Sequence, residues 1–175
     1  MKVIGITGMP GSGKTEVAKL AKKRGIPVVR MGDLVWKEVK QRGLELNDES
    51  VGKIATEMRK EDLAIWAVKT IEVIEHLRSK TVVIDGIRSG AEVERFRSAF
   101  PNFQLVAINA SQKTRFERIS GRGRVDDITN RRAFVERDKR EIMWGLGEVI
   151  ALADTVIINE SSLEVFRRNI AGLFE

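Results

Sequence analysis

Gly8-Met9-Pro10-Gly11-Ser12-Gly13-Lys14-Thr15 fits the pattern G-x-x-x-x-G-K-[ST], and it follows an apolar run, Val3-Ile4-Gly5-Ile6, that reads as a buried strand. A strand, a glycine-rich turn and a helix in that order make a phosphate cradle. Three glycines let the backbone curl until successive N–H groups point inward, and the helix adds the positive end of its dipole. Gly8, Met9, Pro10, Gly11, Ser12 and Gly13 are therefore expected to wrap a polyphosphate. Lys14 would reach its β- and γ-phosphates, and the Thr15 hydroxyl would ligate Mg²⁺. A plain turn between strand and helix is the alternative, and the full spacing in the right context weighs against it. The predicted ligand is a nucleoside triphosphate.

Outward from the cradle, four more apolar runs punctuate the chain: Ile26-Pro27-Val28-Val29, Thr81-Val82-Val83-Ile84, Gln104-Leu105-Val106-Ala107-Ile108 and Thr155-Val156-Ile157-Ile158. Their hydrophobicity is continuous, as in strands covered on both faces, and amphipathic helical patterns separate them. This predicts an α/β protein with a five-stranded parallel sheet between helices, its loops of interest at the carboxyl edge of the strands. Asn47-Asp48-Glu49-Ser50 is a helix start, and Val51 to Leu77 reads as helical, with no proline and no glycine after Gly52. Residues 33–80 thus form a helical insertion between the second and third strands.

A chain of 175 residues with 42% hydrophobic content buries one substantial core, so residues 1–175 are expected to be one domain. No apolar run is long enough to cross a bilayer, and Met1-Lys2 leads straight into a strand, which predicts a cytoplasmic protein without membrane association. The absence of cysteine excludes disulfides, thiolate zinc sites and cysteine nucleophiles. A net charge of +6 favours anionic partners, whether phosphorylated small molecules or nucleic acid.

Asp85 ends the third strand in Val82-Val83-Ile84-Asp85-Gly86-Ile87-Arg88, where a carboxylate could hold Mg²⁺ or take a proton from an attacking oxygen; capping the next helix is the plainer role. Arg88 can fork onto a phosphate, with a surface ion pair as competitor. Arg115, Arg118 and Arg122 share a helical face if the helix runs that far. Their repulsion requires a counter-anion, either a triphosphate or Asp126, Asp127 and Glu136. Arg124-Val125-Asp126-Asp127 then opens a helix carrying Arg131, Arg132, Arg137 and Arg140, a supply of guanidinium groups suited to a migrating phosphoryl group. His76 reads as a solvated or packing residue. Trp36, Trp66 and Trp144 read as core or interface, Trp36 deserving the closer look for its position.

These motifs resemble the nucleoside monophosphate kinase group of P-loop proteins, particularly adenylate kinase and dephospho-coenzyme A kinase, and a set of archaeal proteins related to them. Adenylate kinases join the cradle to G-D-L-L-R, D-G-F-P-R, E-R-x-x-G-R and R-x-D-D elements. Gly32-Asp33-Leu34-Val35-Trp36, Asp85-Gly86-Ile87-Arg88, Glu117-Arg118-Ile119-Ser120-Gly121-Arg122 and Arg124-Val125-Asp126-Asp127 are similar to them. Ala153 to Asn159, with Ser161-Ser162-Leu163, resembles the end of dephospho-coenzyme A kinases. The resemblance implies a three-layer α/β/α P-loop NTPase fold, an acceptor-binding insertion over 33–80 and a short arginine-rich lid over 120–128. It further implies ATP and Mg²⁺ as cofactors, with Asn159 near the adenine. Lys14, Asp85, Arg88, Arg118, Arg122 and Arg124 would form the catalytic set, and Thr15 and Asp85 the metal site.

Two departures matter. Trp36 stands where adenylate kinases place an arginine, exchanging a phosphate clamp for a stacking surface, and Asp85-Gly86-Ile87-Arg88 lacks the family's proline. The expected activity is transfer of the ATP γ-phosphate to a small phosphorylated, nucleotide-like acceptor. The alternative is an ATP-hydrolysing switch or nucleic-acid-associated ATPase, for which no N-K-x-D guanine reader, transporter signature or nucleic-acid module is present.

Overall fold

A computed structural model describes residues 1–121 and 130–175. Its axis is β1 (Lys2–Thr7), of which five residues are buried. β1 pairs in parallel with β3 (Thr81–Ile87) on one side and β4 (Phe103–Asn109) on the other. β2 (Val28–Arg30) flanks β3 and β5 (Thr155–Ile158) flanks β4, giving the all-parallel order β2-β3-β1-β4-β5.

Strand alternation distributes the apolar runs between two cores. Val3, Val82, Ile84 and Leu105 join Trp66, Phe96 and Val149 on one face. Ile4, Ile6, Val83, Val106 and Ile108 join Val17, Ala21, Phe166 and Ile170 on the other. α1 (Lys14–Lys23) and α9 (Leu163–Ala171) cover the second face. The first is covered by α2 (Met31–Gln41), α3 (Asp48–Glu61), α4 (Ile65–Glu75), α5 (Gly90–Ala99) and α8 (Leu146–Ala151). The fold is a three-layer α/β/α sandwich.

One helix was expected from Val51 to Leu77, and two are found. Asp62 is extended (φ −148°, ψ 117°), and its Oδ1 accepts from the Ala64 N–H at 2.8 Å, the local side-chain bond by which aspartate competes with helix. The break lets Trp66 enter the core fully buried, its Nε1 donating to the Ala55 carbonyl at 3.4 Å. The helix start read at Asn47 is present: Asn47 Oδ1 accepts from the Ser50 N–H at 2.9 Å and Ser50 Oγ returns the contact.

β3 carries one extra residue against β1. Its register shifts between Ile6 and Thr7, and Gly86 takes φ +103°, which only glycine adopts without strain. Thr7 Oγ1 closes the irregularity by donating to the Ile87 carbonyl at 2.7 Å.

α6 (Gln112–Ser120) ends with Gly121 as its C-cap. α7 (Arg131–Met143) has its own cap, Asn130, whose side chain accepts from the Ala133 N–H at 2.8 Å. Arg122, Arg124, Asp126 and Asp127 lie outside the described residues.

Candidate active site

The cradle joins β1 to α1. Gly8, Gly11 and Gly13 have φ of +141°, +81° and +115°. Space is as restrictive as torsion: a Cβ on Gly8 would lie 2.2 Å from the Ile108 carbonyl oxygen, and one on Gly13 2.3 Å from Asn159 Nδ2. Gly13 also caps α1 without a side-chain hydrogen bond, which sets the positive end of the helix dipole directly at the cradle.

Lys14 folds back over the loop, its Nζ donating to the carbonyls of Gly8 at 2.6 Å and Met9 at 3.2 Å. Burial lowers its pKa to about 8, with the positive charges of Arg88 and Arg137 adding to the fall and Asp85 and Glu141 opposing it. A polyphosphate would supply the countercharge this ammonium lacks.

Two residues expected at the ligand also brace the cradle's backbone. Asn159 is buried, and its side chain donates to the Ser12 carbonyl at 2.8 Å. Arg118 donates to the Asn159 carbonyl at 3.1 Å and reaches that of Ser12 at 3.5 Å, while its side chain also borders the cleft. Arg115 is a brace too. It donates to the Pro10 carbonyl at 3.1 Å and forks onto Asp138 at 2.8 and 2.7 Å. Within this arginine face, Arg115 therefore has Asp138 as its counter-anion. Glu136 lies 3.6 Å from Lys139 instead.

Across the cavity, Asp85 stands in β3 just before the Gly86 bulge, two residues short of the strand end where the sequence placed it. Its Oδ2 is 3.6 Å from Arg30 Nε, and its buried Oδ1 has no hydrogen-bond partner among the described residues. Ser89 and Glu92 cap α5, so Asp85 is not that helix's cap. Arg88 pairs with Glu141 at 2.7 Å and lies 5.5 Å from the centre of the Trp144 ring. The turn that presents it is anchored by buried Glu92, which accepts from the Arg88 N–H at 2.7 Å and pairs with Arg59 at 2.7 Å.

One cavity of about 480 Å³ runs from the cradle to this wall. Trp36, Val35, Val51 and Ala55 supply its apolar side, Asp85 and Arg88 one polar side, and Arg137, Arg140 and Glu141 of α7, with Trp144 at that helix's C-cap, another. Trp66 is core, whereas Trp36 and Trp144 both line the cleft, so only one of the three tryptophans is solely a packing residue. His76 is exposed, its Nδ1 2.6 Å from the Glu72 carbonyl oxygen.

Of this group the sequence offers Arg137, with its neighbouring arginines, to a migrating phosphoryl group and Trp144 to core or interface, and it leaves Glu141 without a reading. The signal was present: 137, 140, 141 and 144 recur at helical spacing and so share a face. Among the described residues, no group of three or more metal-ligating side chains occurs. That suits Mg²⁺, which keeps most of its water and needs only one or two protein oxygens. The unpartnered Asp85 Oδ1 fits that demand. No described helix is long and apolar enough to cross a membrane.

Comparison with known proteins bears on family and fold. A family model described as AAA domain matches residues 4–143. A UPF0200 protein from Methanosarcina barkeri is 44% identical over 172 residues, covering 97% of this chain and 92% of its own. One from Methanocaldococcus jannaschii is 50% identical over 169 residues, covering 94% and 84%. Among solved structures, TT1252 from Thermus thermophilus superposes with a TM-score of 0.69 at 18% identity, over 99% of this chain and 96% of that one. A shikimate kinase from Acinetobacter baumannii, in complex with shikimate, gives 0.62 at 12% identity over 99% and 91%. At such identities the likeness is one of fold, and the fold is that of P-loop kinases.

Proposed function

Because the chain belongs to the AAA-domain family of P-loop proteins and to the archaeal UPF0200 group, we propose that it is a magnesium-dependent ATP phosphotransferase acting on a small, nucleotide-like acceptor. One observation carries this reading. The cradle and a wall built from indoles, arginines and carboxylates share a single cavity, as a donor and an acceptor must if a phosphoryl group is to pass between them without meeting water. A switch that only hydrolyses ATP needs no second walled compartment.

In this mechanism the cradle amides hold the triphosphate, and Lys14 leaves its loop carbonyls for the β- and γ-phosphate oxygens. The Thr15 hydroxyl and Asp85 would hold Mg²⁺, which would supply charge neutralisation to the triphosphate. Arg88, fixed by Glu141 and Trp144, orients the acceptor. An acceptor oxygen forms a bond to the γ-phosphorus as the bond to the β–γ bridging oxygen breaks, leaving ADP, and where that oxygen is a hydroxyl its proton passes to Asp85. Arg118, Arg122 and Arg124 neutralise charge on the moving group. Asn159 keeps the cradle in shape, and its loop stands beside the donor's base. The helices of residues 33–80 form the acceptor side and residues 120–128 the lid.

The test is ATP with Mg²⁺ against a panel of nucleoside monophosphates, nucleosides and coenzyme A precursors, with Lys14→Ala as control. One acceptor should release ADP in proportion to its phosphorylated product. If none is phosphorylated while DNA or RNA strongly raises hydrolysis, the proposal is overturned.

A further inference from the structure

Arg30 borders the cleft but has no part in the mechanism above. The parallel register of β2 and β3 sets it directly opposite Asp85, so strand pairing itself places a guanidinium group beside the carboxylate offered to the metal. Its Nε lies 3.6 Å from Asp85 Oδ2, while its Nη1 lies 3.3 Å from Oδ1 of Asp33, in the first turn of α2. Its Cζ is 5.9 Å from the centre of the Trp36 ring. One cation is thus shared by an acid inside the cleft, an acid on its rim and an indole of its wall.

The contact with Asp85 is the looser of the two. At 3.6 Å it exceeds hydrogen-bond length, and Asp85 Oδ1 keeps no partner among the described residues. The guanidinium therefore compensates the Asp85 charge without saturating its oxygens. A divalent cation on the same carboxylate would repel Arg30 at close range, so the two cannot both hold it tightly. Asp33 gives the guanidinium somewhere to remain. Its side chain is 53% exposed, so water solvates that pair at little cost whether or not Asp85 takes part.

We infer that Arg30 is a positioning residue that answers to the metal: it holds Asp85 while the cradle is empty, yields that carboxylate to Mg²⁺, and then rests on Asp33 and Trp36. This rests on the phosphotransferase reading, which gives Asp85 to the metal, and goes beyond it by tying the donor end of the cavity to its apolar wall. In the empty cleft Arg30 spares Asp85 the cost of an uncompensated charge. Once released, its guanidinium favours the face of Trp36, which forms part of that wall. The wall is therefore set only when nucleotide and metal are in place, and the donor binds before the acceptor.

ADP is the probe, its affinity measured by calorimetry in saturating Mg²⁺ and again in EDTA. Mg²⁺ and ADP associate in solution equally well whatever the variant, so the ratio of the two affinities reports metal binding at the protein. Arg30→Gln removes the competitor and should raise the ratio about two- to fivefold, the scale of a partly exposed ion pair. Asp33→Asn removes the resting place and should lower it by a similar factor, but only while Arg30 is present; in the double variant it should add nothing. Lys37→Gln, which takes a charge from the next turn of α2, should leave the ratio alone. Tryptophan fluorescence of the ADP complex should change when Mg²⁺ is added, and Trp36→Phe should abolish that change. So should Arg30→Lys, which keeps the charge but cannot span both carboxylates and serves if Arg30→Gln does not fold. A ratio unchanged in folded Arg30→Gln, an Asp33→Asn effect that persists without Arg30, or a fluorescence change that survives Arg30→Lys overturns the inference. Asp85→Asn separates the two readings. A ratio indifferent to it removes the metal assignment and this inference together, whereas a ratio that depends on Asp85 but not on Arg30 overturns this inference alone.

Discussion

Lys14 shows what one side chain is asked to do. Its ammonium sits against loop carbonyls with a pKa of about 8, against 10.5 ordinarily. A polyphosphate favours the charged form, so ATP affinity should be constant below pH 8 and fall as pH rises above it, by at most tenfold per pH unit. Calorimetry at pH 9 in buffers of differing ionisation enthalpy should register proton uptake on binding. The linkage to folding has the opposite sign to that of a stabilised lysine. Between pH 8 and 10.5 the unfolded chain holds more protons than the folded one, so the burden of burying this charge is full below pH 8 and relieved across that window. Relative to Lys14→Met, the ligand-free wild type should gain roughly 1–3 kcal/mol as pH rises through it, read from denaturant midpoints. Gly13→Ala has no such window. A Cβ 2.3 Å from Asn159 Nδ2 at φ +115° should abolish ATP binding and lower stability by about 2 kcal/mol or more at any pH.

Among the elements, α3, α4 and α5 lock to one another through buried groups. Glu92 is fully buried and serves Arg59, the Arg88 N–H and the Ser89 N–H at once. Glu92→Ala would strand the Arg59 charge, so it should cost about 3–5 kcal/mol and loosen Arg88, seen as a lowered melting temperature together with a raised acceptor KM. Trp66→Ala should cost a similar ~3–5 kcal/mol through cavity formation, yet leave KM for ATP unchanged in whatever fraction stays folded. These elements also show where sequence pattern is informative and where it is not. The five strands were legible because each is a continuous apolar run, and the cradle because its chemistry is local. The break at Asp62 was not, since it depends on one side-chain bond and on Trp66 finding the core. Nor were Glu141 and Trp144, whose meaning arises only when α7 is laid against Arg88 and Lys14 from distant parts of the chain.

For the molecule as a whole, a ligand that bridges β1, α1 and the helices opposite should stabilise every layer together. ATP with Mg²⁺ at a hundred times its Kd should add about 2.7 kcal/mol, a rise in Tm of roughly 5–10 °C by differential scanning calorimetry. Lys14→Ala should lose most of it. The extra residue in β3 governs what this architecture tolerates. Val82 and Ile84 face one core, and simple alternation would turn Ile87 to the other side of the sheet. The bulge at Gly86 returns Ile87 to the core of Ile84. Deleting a single residue from Asp85-Gly86-Ile87-Arg88 would reverse that phase, expelling an isoleucine and swinging Arg88 away from Glu141. The span of this turn is thus held to a fixed count of residues, while its chemistry is freer to drift, and a proline can be dispensed with where a glycine cannot.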